Sequence, residues 1–255
     1  MPSNNLSNSL SSHEPFSKLD RWSLSLDGSD ERMDAGDITI VDGLSDMSIS
    51  AWVKPNASAT GSNPIITKGS YNSDGASFYL GYAPESDEGD GRLNFSVEKR
   101  SDVEGGEGMY AYCNGVGSTF NGNWTHVVVS YSNTSDAVVF YLNNSVETID
   151  STNGSFIDIP SNSLDMRVCQ GFHGHVSDLA LYSSALSASD VSKIYDGGDS
   201  YRHDTGVASA NLIAWWRMGD GAENGTGTTI YDESSNSNNL TIQNTDGDEF
   251  EEDSP

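Results

Sequence analysis

Residues 47–55, Met-Ser-Ile-Ser-Ala-Trp-Val-Lys-Pro, are the stretch that decides the fold. Met47, Ile49, Ala51 and Val53 alternate with three polar residues and a tryptophan, which is the period of a strand with one buried face. The proline at the end cannot donate to a sheet ladder, so the strand ends there. The pattern predicts a central core strand.

Short segments of the same kind follow one another through the chain, separated by turns rich in Gly, Asn, Asp and Ser. Short strands spaced in this way are typical of an antiparallel sandwich or jelly roll rather than of βαβ units. The predicted strands are 22–26, 64–68, 77–82, 92–98, 109–113, 124–131, 137–142, 146–149, 165–169, 175–182, 211–217, 230–231 and 240–242.

One short helix is predicted, beginning at Ser187 and ending at Tyr195 before two glycines. Ser187 and Asp190 have the spacing of a capping box, and Val191 and Ile194 fall on one face with Tyr195. We expect this helix to pack on a sheet edge.

The charge of the chain excludes several classes of partner. The 255 residues carry 38 acidic and 12 basic side chains, a net charge of −26 that repels nucleic-acid backbones and anionic membranes. Length and composition favour one large all-β domain, residues 22–245, between an N-terminal arm, 1–21, and an acidic tail, 246–255.

No apolar run is long enough to cross a membrane, and the first residues lack the features of a secretion signal. We therefore expect synthesis in a cytoplasm without a signal peptide. Cys113 and Cys169 lie on predicted strands, and two cysteines do not make a disulfide framework, so buried free thiols are expected over a bridge.

The N-terminal arm is rich in Ser and Asn and has no clear periodicity. Its apolar residues, Leu6, Leu10, Phe16 and Leu19, bury too little surface to order the segment by themselves. The arm is therefore predicted to be a docking strap whose apolar residues bind neighbouring subunits.

Five segments in order resemble the concanavalin A-like, laminin G-type jelly roll. They are Trp-Ser-Leu-Ser-Leu-Asp-Gly-Ser-Asp at 22–30, Ser-Ile-Ser-Ala-Trp-Val-Lys-Pro at 48–55, Trp-Thr-His-Val-Val-Val-Ser-Tyr at 124–131, Tyr-Leu-Asn-Asn at 141–144 and Gly-His-Val-Ser-Asp-Leu-Ala-Leu-Tyr-Ser-Ser-Ala-Leu-Ser at 174–187. The resemblance implies an all-β, two-sheet antiparallel jelly-roll sandwich with one short helix.

The segment Leu-Ile-Ala-Trp-Trp-Arg-Met-Gly, residues 212–219, commonly precedes the first strand in that family but comes late here. Strands 212–217 and 240–243 are therefore expected to complete the sandwich beside strand 22–26, with Trp215 packing near Trp22. The late position and the acidic finish resemble virion proteins of tailed viruses (phages) from marine or saline habitats.

Some members of the superfamily are glucan hydrolases with a Glu-x-Asp-x-x-Glu strand. The nearest string here, Glu85, Asp87 and Asp90, has no alternating apolar residues and is flanked by Pro and Gly, which predicts a solvated loop. His126 matches a structural histidine of the family. His173 and His175 lack a third metal ligand, so a surface turn is favoured over a zinc site.

Jelly rolls of this type often hold a structural calcium ion, which prefers carboxylate and carbonyl oxygens. Asp27, Asp30, Asp178 and Asp232 are the candidate ligands. The alternative is that an Asp in a turn bonds its own backbone.

Tyr110 and Tyr112 share one face of their predicted strand, and Tyr79 joins them if its strand lies alongside. Aromatic rings on a sheet can stack on sugar rings. The alternative is that these rings fill the core or a subunit contact.

The favoured function is a non-catalytic virion structural protein, a capsid decoration or a fibre or tail component displayed on the virion surface. Its partners would be other virion proteins, a second copy of the chain and a host-surface glycan. The alternative is a free carbohydrate-binding module, and a glucanase-like enzyme ranks third.

Overall fold

The structure is a computed structural model, and it describes residues 22–70, 75–84, 91–99, 108–198, 201–218, 227–245, 247 and 249–255. Two antiparallel sheets pack face to face in a sandwich, as the sequence predicts. The predicted arm, with Leu6, Leu10, Phe16 and Leu19, lies outside the described residues, and so do Glu85, Asp87 and Asp90.

The strands are short and most follow the predicted segments. They are β1 Ser23–Asp27, β2 Arg32–Gly36, β3 Asp46–Pro55, β4 Asn63–Ser70, β5 Gly75–Ala83, β6 Arg92–Glu98, β7 Gly108–Asn114, β8 Thr125–Ser132, β9 Ala137–Leu142, β10 Ser145–Val146, β11 Ser151–Gly154, β12 Met166–Val168, β13 His173–Tyr182, β14 Leu212–Trp216, β15 Thr229–Ile230, β16 Leu240–Gln243 and β17 Phe250–Glu251. The helices are α1 Gly117–Phe120 and α2 Ala188–Gly197, with 3-10 turns at Thr39–Val41 and Ser209–Asn211.

Sheet I has eight strands in the order β10-β9-β8-β3-β13-β1-β17, with β14 also paired to β13. Sheet II has nine, in the order β11-β7-β6-β5-β4-β12-β2-β16-β15. The core lies between the sheets and takes every second residue of each long strand. On β3, Met47, Ile49, Ala51 and Val53 are fully buried in it, as predicted.

The late strand β14 and the first strand β1 flank the same edge of β13. Leu24 of β1 pairs with Val176, while Trp216 of β14 pairs with Leu179 a little further along. The two ends of the domain therefore meet on β13. Strand β16 differs from the expectation, because it pairs with β2 in sheet II instead of lying beside β1.

The predicted acidic tail is partly a strand. Phe250 in β17 pairs with Leu24, and the amide of Ser25 donates to the carbonyl of Glu249 over 2.6 Å. Beyond it, Asp253 accepts hydrogen bonds from Lys54 Nζ at 2.6 Å and Trp124 Nε1 at 3.0 Å. These contacts hold the segment against β1 and β3, and its acidic composition does not reveal them.

Helix α2 begins with the predicted capping box, since Ser187 Oγ accepts from the Asp190 amide and Asp190 accepts from the Ser187 amide. It packs on the outer face of sheet I rather than on a sheet edge, because Val191 and Ile194 contact Val128 and its neighbours there. The structure also contains the short helix α1, which was not predicted because its sequence has no helical periodicity.

Two smaller predictions have different outcomes. Cys113 and Cys169 are buried free thiols, as expected, and burial raises the pKa of the Cys113 thiol to about 12. The predicted strand at 146–149 is wrong for most of its length, because β10 ends at Val146 and pairing resumes only in β11.

Candidate functional site

The outer face of sheet II, turned away from the core, carries an uninterrupted group of polar and aromatic side chains. Leu93, Phe95 and Val97 of β6 point into the core, so Asn94 and Ser96 between them point outward. The same alternation on β7 buries the neighbours of Tyr110 and Tyr112 and places both rings on this face, as predicted.

Strand register brings side chains of four strands into rows across the face. Tyr79 pairs with Ser96, Ser96 with Tyr110, and Tyr110 with Asn153 of β11. In the next row, Asn94 stands opposite Tyr112. Neighbouring strands lie about 4.8 Å apart, so these groups can contact one small ligand together.

Tyr79 joins the two other tyrosines on this face, but its ring is 1% exposed and its hydroxyl bonds Ser62 Oγ at 2.7 Å. A Cβ on Gly81 would lie 2.1 Å from that hydroxyl, so the ring extends over the glycine. The expectation of a stacking platform is therefore wrong for Tyr79, which packs into the floor. Tyr110, in contrast, is 45% exposed.

Two polar groups of this face have hydrogen-bonding capacity to spare. Ser96 is 1% exposed, and within the described part of the chain its buried hydroxyl has no hydrogen-bond partner. An unsatisfied buried hydroxyl costs about 1–3 kcal/mol unless something bonds to it. Asn94 is partly buried beside it and its amide makes no bond to another described residue.

Arg92 forms one wall of the site. Its guanidinium carbon lies 4.3 Å from the centre of the Tyr112 ring, and its Nε donates to Asn114 Oδ1 over 2.9 Å. The ring and the amide fix the plane of the guanidinium. Sequence reasoning missed Arg92, Asn94 and Ser96, although the alternation of residues 92–98 places all three on the same face as the tyrosines.

These side chains enclose a depression of about 220 Å³. A larger one, about 410 Å³, lies where the end of β3 meets α1, and Pro55, Tyr82 and Phe120 contribute to its walls. Tyr82 and Phe120 are buried there and contribute no accessible ring face. The smaller depression therefore combines an exposed aromatic ring with unsatisfied polar groups, and it is the candidate site.

The outer face of sheet I is closed by the chain itself. Asp178 is buried there and accepts hydrogen bonds from Trp215 Nε1 at 2.5 Å and His203 Nε2 at 3.1 Å. The other ring nitrogen of His203 bonds the hydroxyl of Tyr182. Burial raises the pKa of Tyr182, so this hydroxyl stays protonated. The four side chains form a satisfied network that fixes residues 201–217 to the sheet.

The four calcium candidates are not brought together. Asp232 accepts from the amides of Trp215, Ser234 and Asn238, and Asp178 is used by the network just described. Asp27 Oδ1 caps the amide of Ser29 at 2.7 Å, the alternative that the turn suggests, and Asp30 is exposed. The carboxylate oxygens of Asp178 and Asp232 already accept hydrogen bonds from the protein, so these residues do not fit a calcium site.

No group of three or more His, Cys, Asp and Glu side chains in the described ranges could hold a metal ion. His173 and His175 lie on strand β13 and not in the surface turn that the sequence suggested, and His175 Nδ1 contacts Ser23 Oγ at 3.2 Å. None of the helices in the described ranges has the length and apolar character of a membrane span.

His126 is buried beneath α2, where its Nε2 lies 2.9 Å from Ser50 Oγ and its ring contacts Trp52 at 5.0 Å between centroids. Burial lowers the pKa of His126 to about 3, so the ring is neutral at pH 7. It belongs to the packing of sheet I and has no access to the candidate site.

Residues 27–192 match the family model of the concanavalin A-like lectin/glucanase superfamily, in its laminin G-like branch. The chain belongs to this superfamily. The match runs from the last residue of β1 to the middle of α2 and so includes every strand that lines the candidate site. No match was found among curated proteins.

Solved structures of this superfamily fold share the architecture at low sequence identity. A Bacteroides ovatus protein, described provisionally as carbohydrate binding, is 15% identical with a TM-score of 0.60, and the match covers 90% of this chain. This chain spans 61% of that protein's length. A heptameric SAP-like pentraxin from Limulus polyphemus is 18% identical with a TM-score of 0.49, covering 69% of this chain and 83% of its own.

The superfamily includes glucanases, which hydrolyse glycosidic bonds with a pair of carboxylates. None of the described residues that line the depression on sheet II is Asp or Glu. Its polar side chains are two amides, one serine hydroxyl, three tyrosine hydroxyls and one guanidinium, which can bind hydroxyl and charged groups and include no carboxylate pair.

Proposed function

We propose that the chain is a non-catalytic carbohydrate-binding domain and that the outer face of sheet II is its binding site. The observation that carries the proposal is the unsatisfied, buried hydroxyl of Ser96 next to the exposed ring of Tyr110. A sugar ring stacked on Tyr110 brings hydroxyl groups that can bond Ser96 and Asn94. An apolar ligand would leave the Ser96 hydroxyl unsatisfied.

The size of the depression indicates how much of a glycan it takes. Its volume of about 220 Å³ is smaller than the roughly 300–1,000 Å³ of pockets that enclose drug-sized ligands. A short terminal portion of a glycan fits this volume better than an extended polysaccharide chain. Binding should therefore depend on the terminal sugar.

The test is a glycan array followed by isothermal titration calorimetry on the best ligand. Tyr110→Ala should weaken binding at least tenfold, since a stacked ring contributes about 1.4 kcal/mol or more. Tyr231→Ala is the matched control, because Tyr231 is also 45% exposed but follows β15 at the opposite edge of sheet II. Equal affinities for the two variants would contradict the assignment of the site.

Absence of catalysis is a separate prediction. The bound glycan should be recovered intact after prolonged incubation with the protein, because the lining lacks a carboxylate pair. Reducing-end release measured over time would detect hydrolysis. Release that Asn94→Ala abolishes would assign an enzymatic role to this face.

We also propose, from the sequence, that this domain is displayed on the surface of a virion together with other virion proteins. This display depends on the arm at residues 1–21, which we predict to be the docking strap. A chain lacking residues 1–20 should melt at an unchanged temperature but fail to join the particle. Normal incorporation of the truncated chain would contradict the strap.

A further inference from the structure

Arg92 forms no ion pair with another described residue, although this protein is strongly acidic. Five of the described cationic side chains have a carboxylate within 4.0 Å: Arg32, Lys54, Lys68, Arg167 and Arg202. The chain has 38 acidic residues against 12 basic ones, so a carboxylate partner is easily found. Arg92 instead lines the binding depression.

The contacts of Arg92 fix its orientation without using its terminal nitrogens. The guanidinium lies over the Tyr112 ring, and Nε is bonded to Asn114 Oδ1. Both Nη groups are left without a partner among the described residues, and together they form the planar fork that matches a carboxylate. A group held in this way loses little side-chain entropy when an anion binds.

We propose that the ligand of this face is an acidic saccharide whose carboxylate is bound by Arg92. The proposal rests on the proposed function and specifies its ligand class. Tyr110 stacks on the sugar ring, Ser96 and Asn94 bond its hydroxyls, and the Nη groups of Arg92 donate to its carboxylate. All four side chains line the same depression.

The net charge of −26 does not prevent this local contact. At physiological ionic strength, charges more than about 8 Å away are largely screened, so the groups at the site determine whether an anion binds there. The carboxylate of Asp150 accepts a hydrogen bond from the backbone N–H of Asn114 over 2.6 Å, and it forms no ion pair with Arg92. The overall charge favours a single carboxylate on a short ligand over a polyanion.

The experiment uses the full chain on an array of sialic-acid and uronic-acid glycans, each printed with its carboxyl-reduced counterpart, together with neutral glycans. The best ligands should be acidic, and reduction of the carboxyl to an alcohol should weaken binding at least tenfold, as loss of a charge-assisted pair predicts. Neutral or reduced glycans that bind as tightly as the acids would overturn the carboxylate inference and leave the proposed function standing. A complete lack of binding would overturn both.

Variants then assign the effect to Arg92. Arg92→Gln should bind the acid and the reduced glycan with equal affinity, and its affinity for the reduced form should match that of the unchanged protein. Arg92→Lys keeps the charge but loses the fork, so an intermediate preference is expected. Lys193→Gln removes one positive charge from the exposed side of α2 and should change nothing. A preference for the acid that persists in Arg92→Gln would overturn the proposal.

Discussion

The outer face of sheet I is covered by the chain, whereas part of the outer face of sheet II is open. On sheet I, helix α2 and residues 201–217 cover the face, and beneath residues 201–217 the side chains of Asp178, His203 and Trp215 bond one another. Beneath α2, Trp52 Nε1 and His126 Nδ1 are buried without a hydrogen-bond partner in the described structure, but the helix keeps any ligand away from them. On sheet II the face stays open at β5 to β7, with an exposed Tyr110 and an unsatisfied Ser96. Both faces contain aromatic and polar residues, so composition does not distinguish them.

The difference lies in where the hydrogen bonds go. A network whose donors and acceptors are all occupied by the same chain stabilises the fold and has no capacity for a ligand. A face that keeps a buried hydroxyl and a guanidinium without partners has that capacity. Substitutions on sheet I should therefore change the free energy of unfolding, and substitutions on the open part of sheet II should change binding.

The largest expected effect is on sheet I. Asp178→Ala leaves Trp215 Nε1 and His203 Nε2 buried without an acceptor, which should lower the free energy of unfolding by about 3 kcal/mol. Asp178 also has a positive φ of 49°, which Asn tolerates well. Asp178→Asn keeps this backbone conformation and one acceptor oxygen but puts an NH2 group in place of the other, so it should cost less than Asp178→Ala. Urea unfolding measures both, and glycan affinity should be the same for the two variants.

A smaller effect is expected at the floor of sheet II. Gly81→Ala places a Cβ 2.1 Å from the Tyr79 hydroxyl and 3.0 Å from the Asn63 carbonyl oxygen, so overpacking should cost about 1–3 kcal/mol. Because the Tyr79 ring must move toward the ligand site, binding should weaken as well. Tyr79→Phe removes the nearest atom and should restore part of both losses. If the effects of Gly81→Ala and Tyr79→Phe simply add in the double variant, the Tyr79 ring does not lie over Gly81 as described.

The smallest effect is a pH dependence on sheet I. The pKa of His126 falls from 6.5 in the unfolded chain to about 3 in the fold, so the folded state binds fewer protons and stability is lost as pH falls below 6.5. Between pH 7 and pH 5.5 this loss should be about 1 kcal/mol. The pH slope of urea unfolding should be shallower in His126→Gln, and identical slopes would contradict a neutral buried ring.

Much of the fold follows from period-2 alternation, because a strand with one buried face needs nothing else to be recognised. Residues 47–55 show this directly. The strand at Phe250–Glu251 could not be predicted, since an acidic segment becomes a strand only through the edge that β1 offers it. The same holds for β16, whose partner β2 is more than two hundred residues away and is set by packing.

The candidate site was predictable in part. Alternation places Tyr110 and Tyr112 on one face, and the register adds Tyr79. The burial of Tyr79 depends on Gly81 leaving room for its ring, which a face assignment does not reveal. The sequence does not mark Arg92 as a site residue, because its contact with the Tyr112 ring, its bond to Asn114 and its lack of a described carboxylate partner depend on the folded structure.

The central claim is that ligand binds on the open face of sheet II, and ¹⁹F NMR of the protein labelled with 3-fluorotyrosine tests it most directly. Adding the best glycan should shift the resonances of Tyr110 and Tyr112, assigned by Tyr→Phe variants. The resonance of Tyr231, beyond β15, and that of Tyr82, in the wall of the larger depression, should stay in place. A shift of Tyr82 with Tyr110 and Tyr112 unchanged would place the ligand at the larger depression and contradict the account.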